Sequence, residues 1–446
     1  MDNARQTTTA GSLLALLFLS ACGGKTALGP ALTGAADSSH AAGARPKHKS
    51  GSSPIQHVVY VIQENRSFNN LFMGFKGATT QSYGLGTNGQ KITLQKVNLQ
   101  TTWDPNHDFW SFIYDYDNGK MDGWNNEGYG GKAPANYPYS YVNPKQIKPY
   151  WDMAEQYVLS DMTFQSTIDG SYVSHQYAIS GWSDDEVNYP SGYWSCYGGS
   201  PNTIDTLTPS RGIGPAINTC EDYTTLGDEL DKSGLTWRSY TSAVDSPDGG
   251  GFNAYSAVSH IYYGQDFTND VISPQSQFLT DVGNGFLANV TWITPTNSES
   301  DHPGQKAKGG PAWVASIVNA VGQSKFWDST VIFVIWDDWG GFYDPVTPPQ
   351  VDYDGLGFRV PLIAISPYAK QGYVSHTQYE SSSVLRYIED NFGLAPMEAS
   401  DTRAADPASD FFNYGQKPRT FTPIQAAKLA PQDMIWDGTR PDSKGD

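Results

Sequence analysis

The run Val331-Ile332-Phe333-Val334-Ile335-Trp336-Asp337-Asp338-Trp339-Gly340-Gly341-Phe342 decides the fold class. Six apolar residues without polar alternation describe a strand buried on both faces, as in a parallel sheet covered by helices. The strand then stops on two adjacent carboxylates. Such a pair at the end of an apolar strand is costly unless something neutralises it, and a hard divalent cation held by oxygen ligands would do so. A solvated acidic turn before the two glycines is the plainer reading of this motif taken alone.

Working outward, three more short apolar runs have the same character: His57-Val58-Val59-Tyr60-Val61-Ile62, Val290-Thr291-Trp292-Ile293 and Val360-Pro361-Leu362-Ile363-Ala364-Ile365. Helical spacing connects Trp313, Ile317, Val318 and Val321, and again Val384, Leu385, Tyr387, Ile388 and Phe392. A third helix is predicted from near Thr225 through Leu226 and Leu230, with Gly234 as its stop. Buried strands alternating with amphipathic helices predict an α/β fold, with a mostly parallel central sheet covered by helices on both faces and joined by long loops. In such sheets functional groups gather beyond the carboxyl ends of the strands. The first strand runs into Gln63-Glu64-Asn65-Arg66-Ser67-Phe68, so it too ends on a carboxylate, Glu64.

The chain has 446 residues and a formal charge of −18, which excludes a nucleic-acid binder that relies on a basic face. Only 17% of residues are charged and 13% are aromatic, so most of the chain is not disordered. Residues 1–22 read as an export signal: Leu13 to Leu19 is too short to span a bilayer, and Leu19-Ser20-Ala21-Cys22 is similar to a lipobox. Acylated Cys22 would tether the protein to the cell envelope; an ordinary cleaved signal is the alternative, giving a periplasmic or secreted chain. Residues 23–54 read as a flexible linker, 55–400 as the main folded domain and 401–446 as a surface extension. Two cysteines remain, Cys196 and Cys220, and in an exported chain they predict one disulfide.

A hydroxyl beside such carboxylates would be a candidate nucleophile. Ser171, in Asp169-Gly170-Ser171-Tyr172-Val173-Ser174-His175, is a candidate, but the segment lacks the Gly-x-Ser-x-Gly elbow, and by pattern alone it reads as a loop serine. Of eight histidines, His107, His260 and His302 stand in polar surroundings.

Together, Glu64-Asn65-Arg66-Ser67-Phe68, Asn118-Gly119-Lys120-Met121-Asp122-Gly123-Trp124 and Trp336-Asp337-Asp338-Trp339-Gly340-Gly341-Phe342-Tyr343-Asp344 closely resemble the bacterial phosphoesterase family of phospholipases C and acid phosphatases. The resemblance continues through Arg359-Val360-Pro361, Ser366-Pro367-Tyr368 and Ser383 to Glu389, and spans roughly residues 55 to 395. It implies an alkaline-phosphatase-like fold. It also implies one divalent metal ion held by Glu64, Asn65, Asp337, Asp338 and Ser171, with Ser171 as the nucleophile of a phosphoseryl mechanism. His107, His260 and His302 would surround the phosphate. Oxygen ligands suit Ca, Mg or Mn better than Zn. Local positive potential for an anionic substrate would come from the metal, the histidines and either Arg66 or Lys120.

The sequence differs from the family pattern at Val173-Ser174-His175, after the nucleophile, and at Pro345, where a histidine is usual. Pro345 and the chain's size lean toward a phosphate monoester as substrate, whereas the aromatics could instead box a phospholipid headgroup. The reading from another class is a non-catalytic envelope lipoprotein that binds glycans or another partner.

Overall fold

The structure is a computed structural model that describes residues 53–126, 128, 133–191, 194–197, 202–246, 249–304 and 309–427. The leader with Cys22 and nearly all of the expected linker lie outside the described residues. Eight strands form the central sheet: β1 (His57–Gln63), β2 (Val158–Ser160), β3 (Trp237–Tyr240), β4 (Val271–Ile272), β5 (Val290–Ile293), β6 (Thr330–Trp336), β7 (Leu362–Ile365) and β8 (Tyr373–Ser375). Their order is β4-β3-β5-β1-β6-β7-β2-β8. All neighbours pair in parallel except β7, which runs antiparallel to both β6 and β2. The link from β6 to β7 contains no helix among its described residues. Without a crossover the chain returns along the same edge of the sheet, and the next strand must run the other way.

Why β1 and β6 carry no polar alternation follows from their register. Tyr60 pairs with Trp292 on β5 and with Phe333 on β6, so these three side chains share one face. On that face Trp292 Nε1 donates to the carbonyl of Ala178 at 2.9 Å, and Phe333 packs edge-on against Tyr387, 5.1 Å between centroids. Ala178 lies in helix Ser171–Ser180 and Tyr387 in helix Ser383–Phe392. Three residues further along β6, Trp336 points to the opposite face and meets Tyr150 of helix Lys148–Gln156 at 4.9 Å. Helices therefore cover both faces. Every residue of β6 is buried, and each must be acceptable to an apolar neighbour.

The three predicted helices are present as Gly310–Gly322, Ser383–Phe392 and Leu226–Lys232. The last begins with a capping box between Thr225 and Asp228, and Gly234 beyond its end has φ +67°. The Cys196–Cys220 disulfide is formed, with 4.5 Å between Cα atoms. It closes a three-stranded sheet (Glu186–Ser191, Thr203–Thr206, Ile217–Asn218), from which Ile204 packs with Tyr172, Val173 and Tyr177 of helix Ser171–Ser180.

One expectation needs correcting. As far as residue 427, the C-terminal stretch is more than a surface wrap: Phe411, Phe412 and Ile424 are buried in the main core. Among the described residues no helix is long and apolar enough to cross a membrane.

Candidate functional site

Three adjacent interior strands, β5, β1 and β6, lead at their carboxyl ends into the segments that carry His302, Glu64–Asn65 and Asp337–Asp338. Side-chain alternation decides where they point. Glu64 and Asp337 follow the Gln63–Trp336 pair by one residue, so both turn toward helix Ser171–Ser180, and the Asp337 N–H extends the ladder by donating to the Gln63 carbonyl at 2.9 Å. Ser171 is the first residue of that helix. Asn65 Nδ2 donates to Ser171 Oγ at 2.8 Å, Asp338 Oδ2 at 2.5 Å and Asp337 Oδ2 at 3.1 Å, while Ser171 Oγ donates to Asp338 Oδ2 at 3.1 Å. Glu64, Asn65, Ser171, Asp337 and Asp338 thus converge, all buried.

Glycines permit this convergence. Gly340 has φ +61°, and a Cβ there would lie 2.1 Å from the Asn65 carbonyl oxygen. Its N–H donates to Asp338 Oδ1 at 2.7 Å. Gly170, just before Ser171, lies against the His107 backbone, where a Cβ would come within 2.6 Å of the carbonyl oxygen. Alanine at Gly340 must push the β6 loop off the Asn65 loop. Gly340→Ala is expected to cost about 3 kcal/mol or more, read by denaturant unfolding. A loss under about 0.5 kcal/mol would show that the close approach is unimportant.

The electrostatics are those of an anion cluster. Burial first, then the charges of Asp338 and Glu64, raise the Asp337 carboxyl well above the usual carboxylate range. Burial also raises Asp338, with Glu64 adding to the effect and the Gly340 N–H opposing it. Asn65 offers two hydrogens to three oxygens, which no geometry satisfies well. Its Oδ1 and Asp337 Oδ1 are buried without a hydrogen-bond partner among the described residues. Turning the amide over would set four oxygens around one point with only the serine proton between them. That donor set fits a cation.

His175 joins the same cluster, and the sequence reading missed it. Its Nε2 is 2.7 Å from Glu64 Oε1 and 3.9 Å from Asp337 Oδ2. It lies four residues after Ser171, one helical turn along the same face. That spacing was the only signal in the sequence, and it has meaning only once Ser171 is known to start a helix rather than sit in a loop.

His107 and His302 stand together beside this cluster, 5.3 Å between centroids. His107 Nδ1 pairs with the Pro105 carbonyl at 2.7 Å and His302 Nδ1 with the Pro303 carbonyl at 2.5 Å, which aims Nε2 of each ring elsewhere. Asp104 Oδ1 is 4.0 Å from both Nδ1 atoms. The His302 loop is itself held in place: Asp301 accepts from Tyr150 Oη at 2.7 Å and from Trp336 Nε1 at 3.1 Å.

His260 is not brought here. It is on the surface helix Ser259–Tyr262, with Nδ1 2.5 Å from Asp222 and Nε2 2.9 Å from Asp228. Polar neighbours surround surface histidines as readily as active-site ones, so its sequence context misled. Neither expected cation of the side-chain type serves the cluster. Arg66 is buried and bound to the carbonyls of Asp301 (2.7 Å) and Leu99 (2.9 Å), with its guanidinium 4.6 Å over Phe342. Lys120 is exposed and paired with Asp117.

The model of the Phosphoesterase family matches residues 55–395. The chain is 24% identical over 460 residues to Phospholipase C B of Mycobacterium tuberculosis, covering 87% of this chain and 82% of that protein. It is 25% identical to the Hemolytic phospholipase C of Pseudomonas aeruginosa, covering 79% of this chain and 54% of that one. Among solved structures, a protein in the alkaline phosphatase superfamily from Vibrio parahaemolyticus superposes with a TM-score of 0.37 at 12% identity, over 79% of this chain and 70% of that one.

Proposed function

The chain belongs to the Phosphoesterase family and is a hydrolase of phosphoric ester bonds, and from that premise we propose that Ser171 is its nucleophile, working beside one divalent cation held by Glu64, Asn65, Asp337, Asp338 and Ser171. The observation that carries the reading is the convergence of Ser171 Oγ with Asn65 and Asp338 within 3.1 Å, in a buried cluster of three carboxylates. When bound, the cation would offset those charges and lower the pKa of the serine hydroxyl.

The residues of the chain then divide the work. Ser171 Oγ gives up its proton to water and attacks phosphorus as the bond to the alcohol oxygen breaks; a water molecule later cleaves the phosphoserine, its oxygen going to phosphorus and a proton back to Oγ. Backbone N–H groups in the first turn of helix Ser171–Ser180 face the phosphoryl oxygens with the positive end of the helix dipole. The Nδ1 protons of His107 and His302 are committed to backbone carbonyls, so each ring reaches the same oxygens through Nε2, which donates when the ring carries its second proton; one ring then passes that proton to the departing alcohol. This replaces Arg66 and Lys120 as the source of local positive potential.

For the substrate, the names of the relatives favour a phospholipid, whereas chain size and Pro345 lean toward a monoester. We give the relatives more weight. Phosphatidylcholine and a chromogenic phosphate monoester assayed side by side, with a panel of divalent ions, should show faster release from the phospholipid. Preference for the monoester would move the assignment to a phosphatase. No cleavage of either substrate with any ion would overturn the mechanism and leave a non-catalytic binding protein as the better reading.

A further inference from the structure

We infer that His175 is a further ligand of the same cation, and that its imidazole nitrogen makes the site prefer Zn²⁺ over Ca²⁺ and Mg²⁺. The inference rests on the cation reading above and deepens it.

The first support is placement. Ser171 and His175 lie one turn apart on a single helix, so the element that aims the nucleophile also aims the imidazole. The ring is held there by Phe252, stacked at 5.6 Å and 30°. The second support is spacing. Two donors bound to one six-coordinate ion at about 2.1 Å stand about 3.0 Å apart at right angles and about 4.2 Å apart across it. His175 Nε2 is 2.7 Å from Glu64 Oε1 and 3.9 Å from Asp337 Oδ2. Beside them the Asn65 amide is 2.5 to 3.1 Å from Asp338, Ser171 and Asp337, and Ser171 Oγ is 3.1 Å from Asp338. Glu64, His175 and Asp337 offer ligand atoms that all lie within 4.8 Å of one another, so one ion among them takes the imidazole with small adjustments. The third support is the pair of buried oxygens, Asn65 Oδ1 and Asp337 Oδ1, that lack hydrogen-bond partners among the described residues. Those oxygens call for the cation itself, and the closeness of His175 Nε2 to Glu64 and Asp337 is what brings the imidazole to it.

The consequence is chemical. Five oxygen donors would suit Ca²⁺, Mg²⁺ or Mn²⁺, and the sequence reading leaned that way. Imidazole suits Zn²⁺, whereas Ca²⁺ and Mg²⁺ take oxygen.

The test counts and identifies metal without measuring activity. Metal-free protein is dialysed against equal concentrations of Mg²⁺, Ca²⁺, Mn²⁺ and Zn²⁺, analysed for bound metal, and examined by X-ray absorption at the zinc edge. Zn²⁺ outcompetes the others at many sites, so the informative quantity is the change on substitution. The wild type is expected to bind one Zn²⁺ per cluster with an imidazole in its coordination sphere. His175→Gln should still bind an ion, lose that imidazole and lose tenfold or more of its preference for Zn²⁺ over Mg²⁺. Should the variant fail to fold, the wild-type spectrum decides alone: bound zinc without imidazole overturns the ligand assignment and leaves the cation reading standing. An unchanged spectrum and preference in His175→Gln overturns it equally. A wild type that binds no ion refutes both readings together.

Discussion

Ser171→Ala is expected to lower kcat/KM for the preferred phosphate ester by four or more orders of magnitude, because it removes the atom that would form the bond to phosphorus. The fold should tolerate the change. Ser171 Oγ is bonded to Asn65 and Asp338, and both keep other partners: Asn65 still donates to the two aspartates and Asp338 still accepts from Gly340. Losing one such bond costs about 1 kcal/mol. The variant should also keep its metal, since four of the five proposed oxygen ligands remain. Steady-state kinetics beside elemental analysis separates these effects. Activity within tenfold of wild type would remove Ser171 from the mechanism, and a variant that is both unfolded and metal-free would show that the serine is structural.

Asp338→Asn is expected to act in opposite directions on activity and on stability. Asp338 touches Ser171, Asn65 and the Gly340 N–H at once, so it is the hub of the cluster. Removing its charge should weaken cation binding by about a hundredfold or more and abolish turnover at ordinary metal concentrations. In the metal-free protein, however, that carboxylate is buried beside Glu64 and Asp337, and its charged form is disfavoured. A neutral amide of nearly the same shape relieves the repulsion. Metal-free Asp338→Asn should therefore be at least as stable as the metal-free wild type near neutral pH, whereas the wild type should gain stability on adding metal and the variant should not. Denaturant titrations with and without added ion report both. A metal-free variant less stable by about 2 kcal/mol or more would mean that Asp338 is held by an internal partner and needs no cation.

Much of this arrangement was legible because charge at the end of an apolar strand is conspicuous. Glu64 and the Asp337–Asp338 pair announce themselves against the runs that precede them, and the strand register then forces them to one side. Strands β1, β5, β6 and β7 were readable for the same reason, although Val360 and Pro361 stay outside β7. The remaining sheet strands contain two to four residues, too few for a hydrophobic period to emerge. Ser171 drew attention through family resemblance and not through local pattern, because a buried helix has little polar face to mark its phase, and every residue from Ser171 to Ser180 is buried. His175 was hidden by the same burial. His260 was overread because hydrogen-bonding neighbours do not distinguish a surface ion pair from a catalytic group. Phe411 and Phe412 were underread because the Pro- and Asp-rich stretch around them looked solvated.

The reversed direction of β7 has a mechanical consequence for the carboxylate pair. The stretch from Asp337 to Pro361 leaves one interior strand and re-enters the next, so both of its roots are clamped in the middle of the sheet. It cannot swing outward like a flap hinged at one end without unzipping two ladders. The spacing of the acidic pair should therefore hold steady through a catalytic cycle.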